Sequence, residues 1–161
     1  MSGVTVAPFK NDFVLVQDLY GSGTVGHTYV TSVWNTCPLN NKLVDLNGIA
    51  TLAANQVTLP PGTYWCQGFA NVSDQNAAGW AGRLRVRNVT GGSTAAQGVN
   101  ANYNATNSRD VPLHVQGVFT LAASATLELQ VYPTATINSA AAAITSGDPE
   151  VYASIMFWRF Q

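Results

Sequence analysis

The sequence predicts an all-β domain folded as a two-sheet sandwich. Amphipathic helical periodicity is almost absent, while strand-length runs bounded by Gly, Pro, Asn and Asp recur from end to end. The strands are also of two kinds: some alternate cleanly between an apolar and a polar face, and others are apolar on both.

The first strand, Phe13–Tyr20, is of the second kind, with Phe13, Leu15 and Leu19 set against Val14, Val16 and Tyr20. Gly21-Ser22-Gly23 ends it by supplying backbone freedom for a turn. His27–Trp34 reads as the next strand, followed by Leu39–Asp45 and Ile49–Leu52 on either side of the turn signal Asn47-Gly48. Pro60-Pro61-Gly62 then launches Gly62–Val72, where Tyr64 and Cys66 oppose Trp65 and Phe69. Gly82–Val89 alternates, with Leu84 and Val86 on one face and Arg83, Arg85 and Arg87 on the other; Gly91-Gly92 stops it. Ala95–Tyr103 and Val111–Leu121 follow, the latter with His114, Gln116 and Thr120 on its second face, which puts it nearer a rim or a water-filled axis. Thr126–Tyr132 alternates again, Leu127, Leu129 and Val131 opposing Thr126, Glu128 and Gln130. The Ala140–Ala143 run is too short for a helix and reads as loop, and Gly147-Asp148-Pro149 leads into the last strand, Val151–Phe160. That strand is apolar on both sides, with Val151, Ala153, Ile155 and Phe157 against Tyr152, Met156, Trp158 and Phe160.

A strand apolar on both faces has to be covered on both. The opposite sheet covers one face only, and no helix is available for the other, so the simplest cover is a second copy of the chain. Composition agrees. In 161 residues only 9% are charged and the net charge is -1, against roughly 25% charged in an average soluble domain. A nearly neutral surface favours association and gives no electrostatic footprint for nucleic acid or an anionic membrane. No run approaches the ~20 apolar residues of a membrane span. Met1 to Asp12 lacks a basic flank followed by an apolar core, so it reads as a native start and short arm rather than a secretory signal. Residues 1–12 are taken as that arm and 13–161 as one domain.

Trp34, Leu39-Asn40, Val44-Asp45, Gly48-Ile49, Asn55-Gln56, Leu59-Pro60-Pro61-Gly62-Thr63-Tyr64, Gly117-Val118-Phe119-Thr120-Leu121, Leu127-Glu128-Leu129-Gln130 and Glu150-Val151-Tyr152-Ala153 follow one another in an order with a precedent. This order resembles the tumour-necrosis-factor-like and complement-type jelly roll, in the form carried by bacteriophage structural proteins such as head decorations, head fibres and tail-fibre tips. The similarity runs from about Phe13 to Phe160, and the Leu-Pro-x-Gly-Thr-Tyr phrase is its most specific part. It implies an antiparallel jelly roll of about ten strands that forms homotrimers, with the first, last and two middle strands in the inner sheet. It also implies a non-enzymatic protein on the virion surface, assembled in the host cytoplasm, whose partners are itself and the major capsid protein or another virion protein. The alternative it implies is a receptor-binding tip that contacts a host surface glycan.

Site expectations follow. The trimer interface is expected at Phe13, Leu15, Tyr20, Trp65, Phe69, Tyr152, Met156, Trp158 and Phe160, and a capsid-anchoring contact in the arm at Val6, Pro8, Phe9 and Lys10. Trp80, Tyr103 and Arg109 are the candidate glycan contacts, because they fall in loops or at strand ends. The Arg83, Arg85, Arg87 row reads as the solvated face of one strand rather than an anion stripe. No cofactor or metal is expected: the carboxylates are scattered, no Asp-x-Asp-x-Asp-Gly calcium loop occurs, and no Gly-x-Ser-x-Gly elbow is present. His27 and His114 read as hydrogen-bonded structural residues rather than a general base or pH switch. Cys37 and Cys66 have no CxxC spacing and read as buried reduced thiols. The Asn-x-Ser/Thr triplets at Asn71, Asn88 and Asn104 carry no weight in so Asn- and Thr-rich a chain.

Overall fold

A computed structural model of the chain describes residues 12–73, 79–103, 110–135 and 142–160. Alternating burial builds two antiparallel sheets, packed face to face. The inner sheet has the order β10-β6-β12-β1-β3, formed by β1 (Asp12–Tyr20), β3 (Asn41–Asp45), β6 (Gly62–Ser73), β10 (Asp110–Leu121) and β12 (Glu150–Arg159). The outer sheet runs β4-β5-β11-β7-β8, from β4 (Thr51–Ala53), β5 (Gln56–Leu59), β7 (Trp80–Asn88), β8 (Ser93–Gln97) and β11 (Ala125–Pro133). The short strands β2 (Asn35–Thr36) and β9 (Ala101–Tyr103) extend it by pairing with β11 and β7.

The three strands read as apolar on both faces, β1, β12 and β6, are neighbours at the centre of the inner sheet, and the alternating pair β7 and β11 are neighbours in the outer one. Val14, Phe157 and Cys66 form one cross-strand row facing inward, and Val16, Ile155 and Val115 occupy the next. They meet Leu84, Val86, Leu127, Leu129 and Val131 from the outer sheet, all nearly or fully buried. Phe119 seals one end of this core, stacked on Tyr64 at 5.7 Å and edge-on to Phe157 at 6.3 Å. Cys37 and Cys66 are both buried free thiols, and desolvation pushes them up to about 12 and about 11.

Several local expectations are corrected. The segment His27–Trp34 is not a strand: the Asn35 carboxamide bonds the Val30 amide and the Val30 and Val33 carbonyls, bending the chain into turns in place of a ladder. The strand β5 was not anticipated, because its hairpin to β4 turns on Ala54-Asn55, both at positive φ, without the usual glycine. The expected strand Ala95–Tyr103 is split into β8 and β9 where Gly98 passes against β10; a Cβ there would lie 2.1 Å from the His114 carbonyl oxygen. Leu46–Gly48 forms a 3-10 turn, and the Asp45 carboxylate spans it by accepting the Ile49 amide at 2.8 Å on its far side. As its polar second face suggested, β10 is an edge strand, which also accommodates Pro112.

Candidate functional site

The outward face of the inner sheet is a ladder of cross-strand rows whose character changes along the strands. In the first row Phe13 pairs with Trp158, Trp158 with Trp65, and Trp65 with Val118. Every member is large and apolar. Trp158 is 44% exposed and Val118 61%, with Trp65 between them on one sheet face. The Phe13 and Trp158 rings meet edge-on at 6.3 Å, which fixes both against the sheet. The second row, Val44, Leu15, Met156, Gln67 and Gln116, is half polar. The third, Asn41, Gln17, Ser154, Phe69 and His114, keeps one large apolar group, Phe69, at 37% exposure. Beside the polar rows, a groove of about 410 Å³ opens between Gln67, Gln97, Val99, His114 and Gln116.

Of the residues expected at an interface, Phe13, Leu15, Trp65, Phe69, Met156 and Trp158 share this face. Phe160 follows β12, and its amide bonds the Thr63 carbonyl at the rim. Tyr20 and Tyr152 belong elsewhere. In the pairing of β1 with β12, Asp18 faces Ala153 and Leu19 faces Val151, so Tyr152 is the extra residue of a β-bulge. The bulge turns its ring off the face; Tyr152 is buried and its hydroxyl donates to the Thr24 carbonyl. Tyr20 lies two positions beyond the inward-facing Asp18, and its hydroxyl meets His27 Nε2 at 2.5 Å.

These residues close a polar cluster that sequence spacing did not reveal. Asp18 is fully buried, neither of its oxygens has a hydrogen bond of good geometry, and the nearest basic nitrogen is His27 Nε2 at 3.9 Å. Burial raises its carboxyl to about 6, opposed by His27 and the Tyr20 hydroxyl. Tyr29 lies deeper, its hydroxyl directed at Cys37 Sγ, and burial drives its pKa well up. Glu150 pins the adjoining loops by accepting the amides of Thr145, Gly23 and Ile144, which hold its pKa below the usual range. Among the described residues, no three metal-ligating side chains gather.

Trp80, a candidate glycan contact, is 3% exposed and offers no free stacking face. It sits on the inward side of β7, in phase with Leu84 and Val86. Tyr103 pairs with Trp80 through the backbone, but its side chain, like Arg109 and the arm residues Val6, Pro8, Phe9 and Lys10, lies outside the described residues. On the outer sheet Arg85 stacks over Trp34, 3.9 Å from the ring centroid, and its Nε donates to Gln130. Glu128 accepts from Gln130, Gln56 and Thr36.

This architecture has solved counterparts. Murine APRIL crystallised at pH 5.0 superposes with a TM-score of 0.60 at 10% identity, covering 93% of this chain and 99% of that one. The chain has the jelly-roll fold of the tumour-necrosis-factor ligands. Murine APRIL at pH 8.5 gives a TM-score of 0.57, also at 10% identity and over 93% and 99% of the two chains. The globular domain of zebrafish complement 1qA protein is 17% identical over 93% of this chain and 97% of that one, with a TM-score of 0.48. No protein-family model matches the sequence, and no curated protein is similar to it. At such identities the likeness defines the fold and not the activity.

Proposed function

We propose that the chain works as a homotrimer, a non-enzymatic surface protein of a bacteriophage particle that decorates the head or forms its fibres. The observation that carries self-association is the row Phe13, Trp158, Trp65 and Val118, which stands on the outward face of the inner sheet and leaves Trp158 and Val118 largely exposed among the described residues. Completing the burial of each half-exposed side chain is worth roughly 1 kcal/mol per group, repeated in every copy. Threefold closure suits this face, because adjoining protomers bring the same row together about one axis and leave no apolar edge open. The sparse charge supports a place in an assembly, and the resemblance to phage jelly rolls supports a virion as that assembly.

Light scattering on the purified chain tests the oligomer. The wild type is expected to be trimeric and Trp158→Asp monomeric or aggregated, with Phe69→Asp, in the polar third row, weakening the trimer less. A monomeric wild type, or a Trp158→Asp variant that stays trimeric, overturns the reading. Quantitative mass spectrometry of purified particles tests the location. A fixed ratio to the major shell protein is expected, and absence from the particles refutes the virion assignment.

A further inference from the structure

On the outer sheet, away from the apolar face, a groove of about 230 Å³ is lined by Gly82, Arg83, Asn100, Asn102, Tyr132 and Thr134. Self-association through the inner sheet leaves it open. Register explains its chemistry: across β7 and β11, Arg87 faces Glu128, Arg85 faces Gln130 and Arg83 faces Tyr132. Glu128 is four residues from Tyr132, about 13 Å along a strand, and is already engaged by Gln56, Gln130 and Thr36. Arg85 is occupied by Trp34 and Gln130. Among the described residues, Arg83 has no carboxylate within ion-pair distance, although it lines a concave surface.

The other walls supply what a cation alone does not. Asn100 and Asn102 each present a carboxamide, donor and acceptor together, with no side-chain partner among the described residues. The Tyr132 ring is backed by Trp34 at 5.3 Å, so it stands as a fixed wall. Trp80 packs on the inward side beneath it: a Cβ on Gly82 would come within 2.7 Å of its indole, so the glycine lets the ring lie against the backbone that forms the floor.

We propose that this groove binds one anionic sugar residue, its carboxylate held by Arg83 and its hydroxyls by Asn100 and Asn102. A guanidinium binds a carboxylate through two parallel hydrogen bonds. Paired carboxamides suit vicinal hydroxyls, which also donate and accept, and the flank of Tyr132 suits the C–H face of a pyranose. A volume below the roughly 300–1,000 Å³ of drug-sized pockets fits a single ring. Glycan recognition, expected around Trp80, is thereby moved to the opposite side of the same strand, with Trp80 supporting the floor rather than touching ligand.

Calorimetric titration of the full chain at low salt is the test, using trigalacturonate against its methyl ester, and 3′-sialyllactose against lactose. At least one acid is expected to bind about tenfold more tightly than its neutral counterpart. Arg83→Gln should weaken that binding about tenfold, and Arg87→Gln, beside Glu128, should leave it unchanged. Both substitutions fall on the exposed face of β7, and circular dichroism checks that they fold. Asn102→Ala supplies a second variant, expected to weaken binding several-fold. Failure of both acids to bind, equal binding of acid and neutral forms, or full affinity in Arg83→Gln overturns the proposal. None of these readouts depends on the oligomeric state.

Discussion

Replacing Asp18 with Asn should change how stability depends on pH. In the folded protein the Asp18 carboxyl titrates near 6, against an ordinary value of 3.8, because it is removed from water with only a distant histidine and a tyrosine hydroxyl to compensate. A carboxyl whose pKa is raised by folding is held protonated more firmly in the native state than in the unfolded chain. Its contribution is therefore intact at about pH 3 and below, declines as pH rises through 3.8 to about 6, and above that stays as a constant penalty. The shift corresponds to about 3 kcal/mol, or roughly 6–12 °C in Tm for a chain of this size. An asparagine cannot ionise and escapes this loss whatever its own fixed cost. Urea unfolding of both proteins at one protomer concentration, from about pH 4 to pH 7, measures the difference between the curves. That difference should move in favour of Asp18→Asn by about 2 kcal/mol across the range, since part of the full shift is already developed at pH 4. Parallel curves would show that Asp18 is solvated or fully paired in solution, and would refute the reasoning.

Two further outcomes are expected. Gly98→Ala puts a methyl group against the His114 and Leu84 carbonyl oxygens, which are backbone and cannot rotate aside; it should destabilise the fold by about 1–3 kcal/mol, measured by the same urea titration, and a neutral result would mean that the segment after β8 does not lie on β10. Glu150→Gln should speed hydrogen exchange at the Gly23, Ile144 and Thr145 amides, because the charged acceptor they share is gone. Since the depressed pKa of Glu150 means that folding favours its charged form, the wild type should lose the same protection as pH falls through the carboxylate range.

The architecture was legible in the sequence because it rests on period-two patterns within single strands. Leu84 and Val86 against the three arginines place β7 on a solvated sheet, and the doubly apolar runs place β1, β6 and β12 together without any knowledge of their order. Phe13, Leu15, Trp65, Phe69, Met156 and Trp158 were readable as one face for the same reason. Tyr152 was not, since the bulge that displaces it is a property of two paired strands and leaves β12 with an unbroken alternation. Trp80 misled because flanking glycines resemble a loop. Here Gly82 is small because the indole lies against it, so the glycine signals burial of the tryptophan and not its exposure.

The membership of the two polar clusters was not legible, even though the arginine row itself was, because register brings their members together. Among the described residues Arg83 has no counter-ion, since Tyr132, and not Glu128, lies across from it; a shift of four residues would bring Glu128 opposite it. Asp18 meets His27 because a turn, not a strand, follows β1. The bulge at Tyr152 sits directly beside Asp18 in the ladder, and the displaced ring, bonded to Thr24 and 6.3 Å from Tyr20, forms one wall of the cluster, which His27 leaves open to solvent on its outer side. Regular pairing between β1 and β12 is thus given up beside Asp18, a carboxylate that points into the core without an ion pair as close as the one Arg159 gives Asp12. It is kept at the other end, where Phe13, Trp158 and Trp65 require a flat, continuous row. The inner sheet is therefore polarised along its strands, with a regular apolar end suited to contact between copies and an irregular polar end that titrates. Self-association confined to the first end leaves Asp18 and its loops outside the contact, so the pH response should persist in a monomeric Trp158→Asp protein.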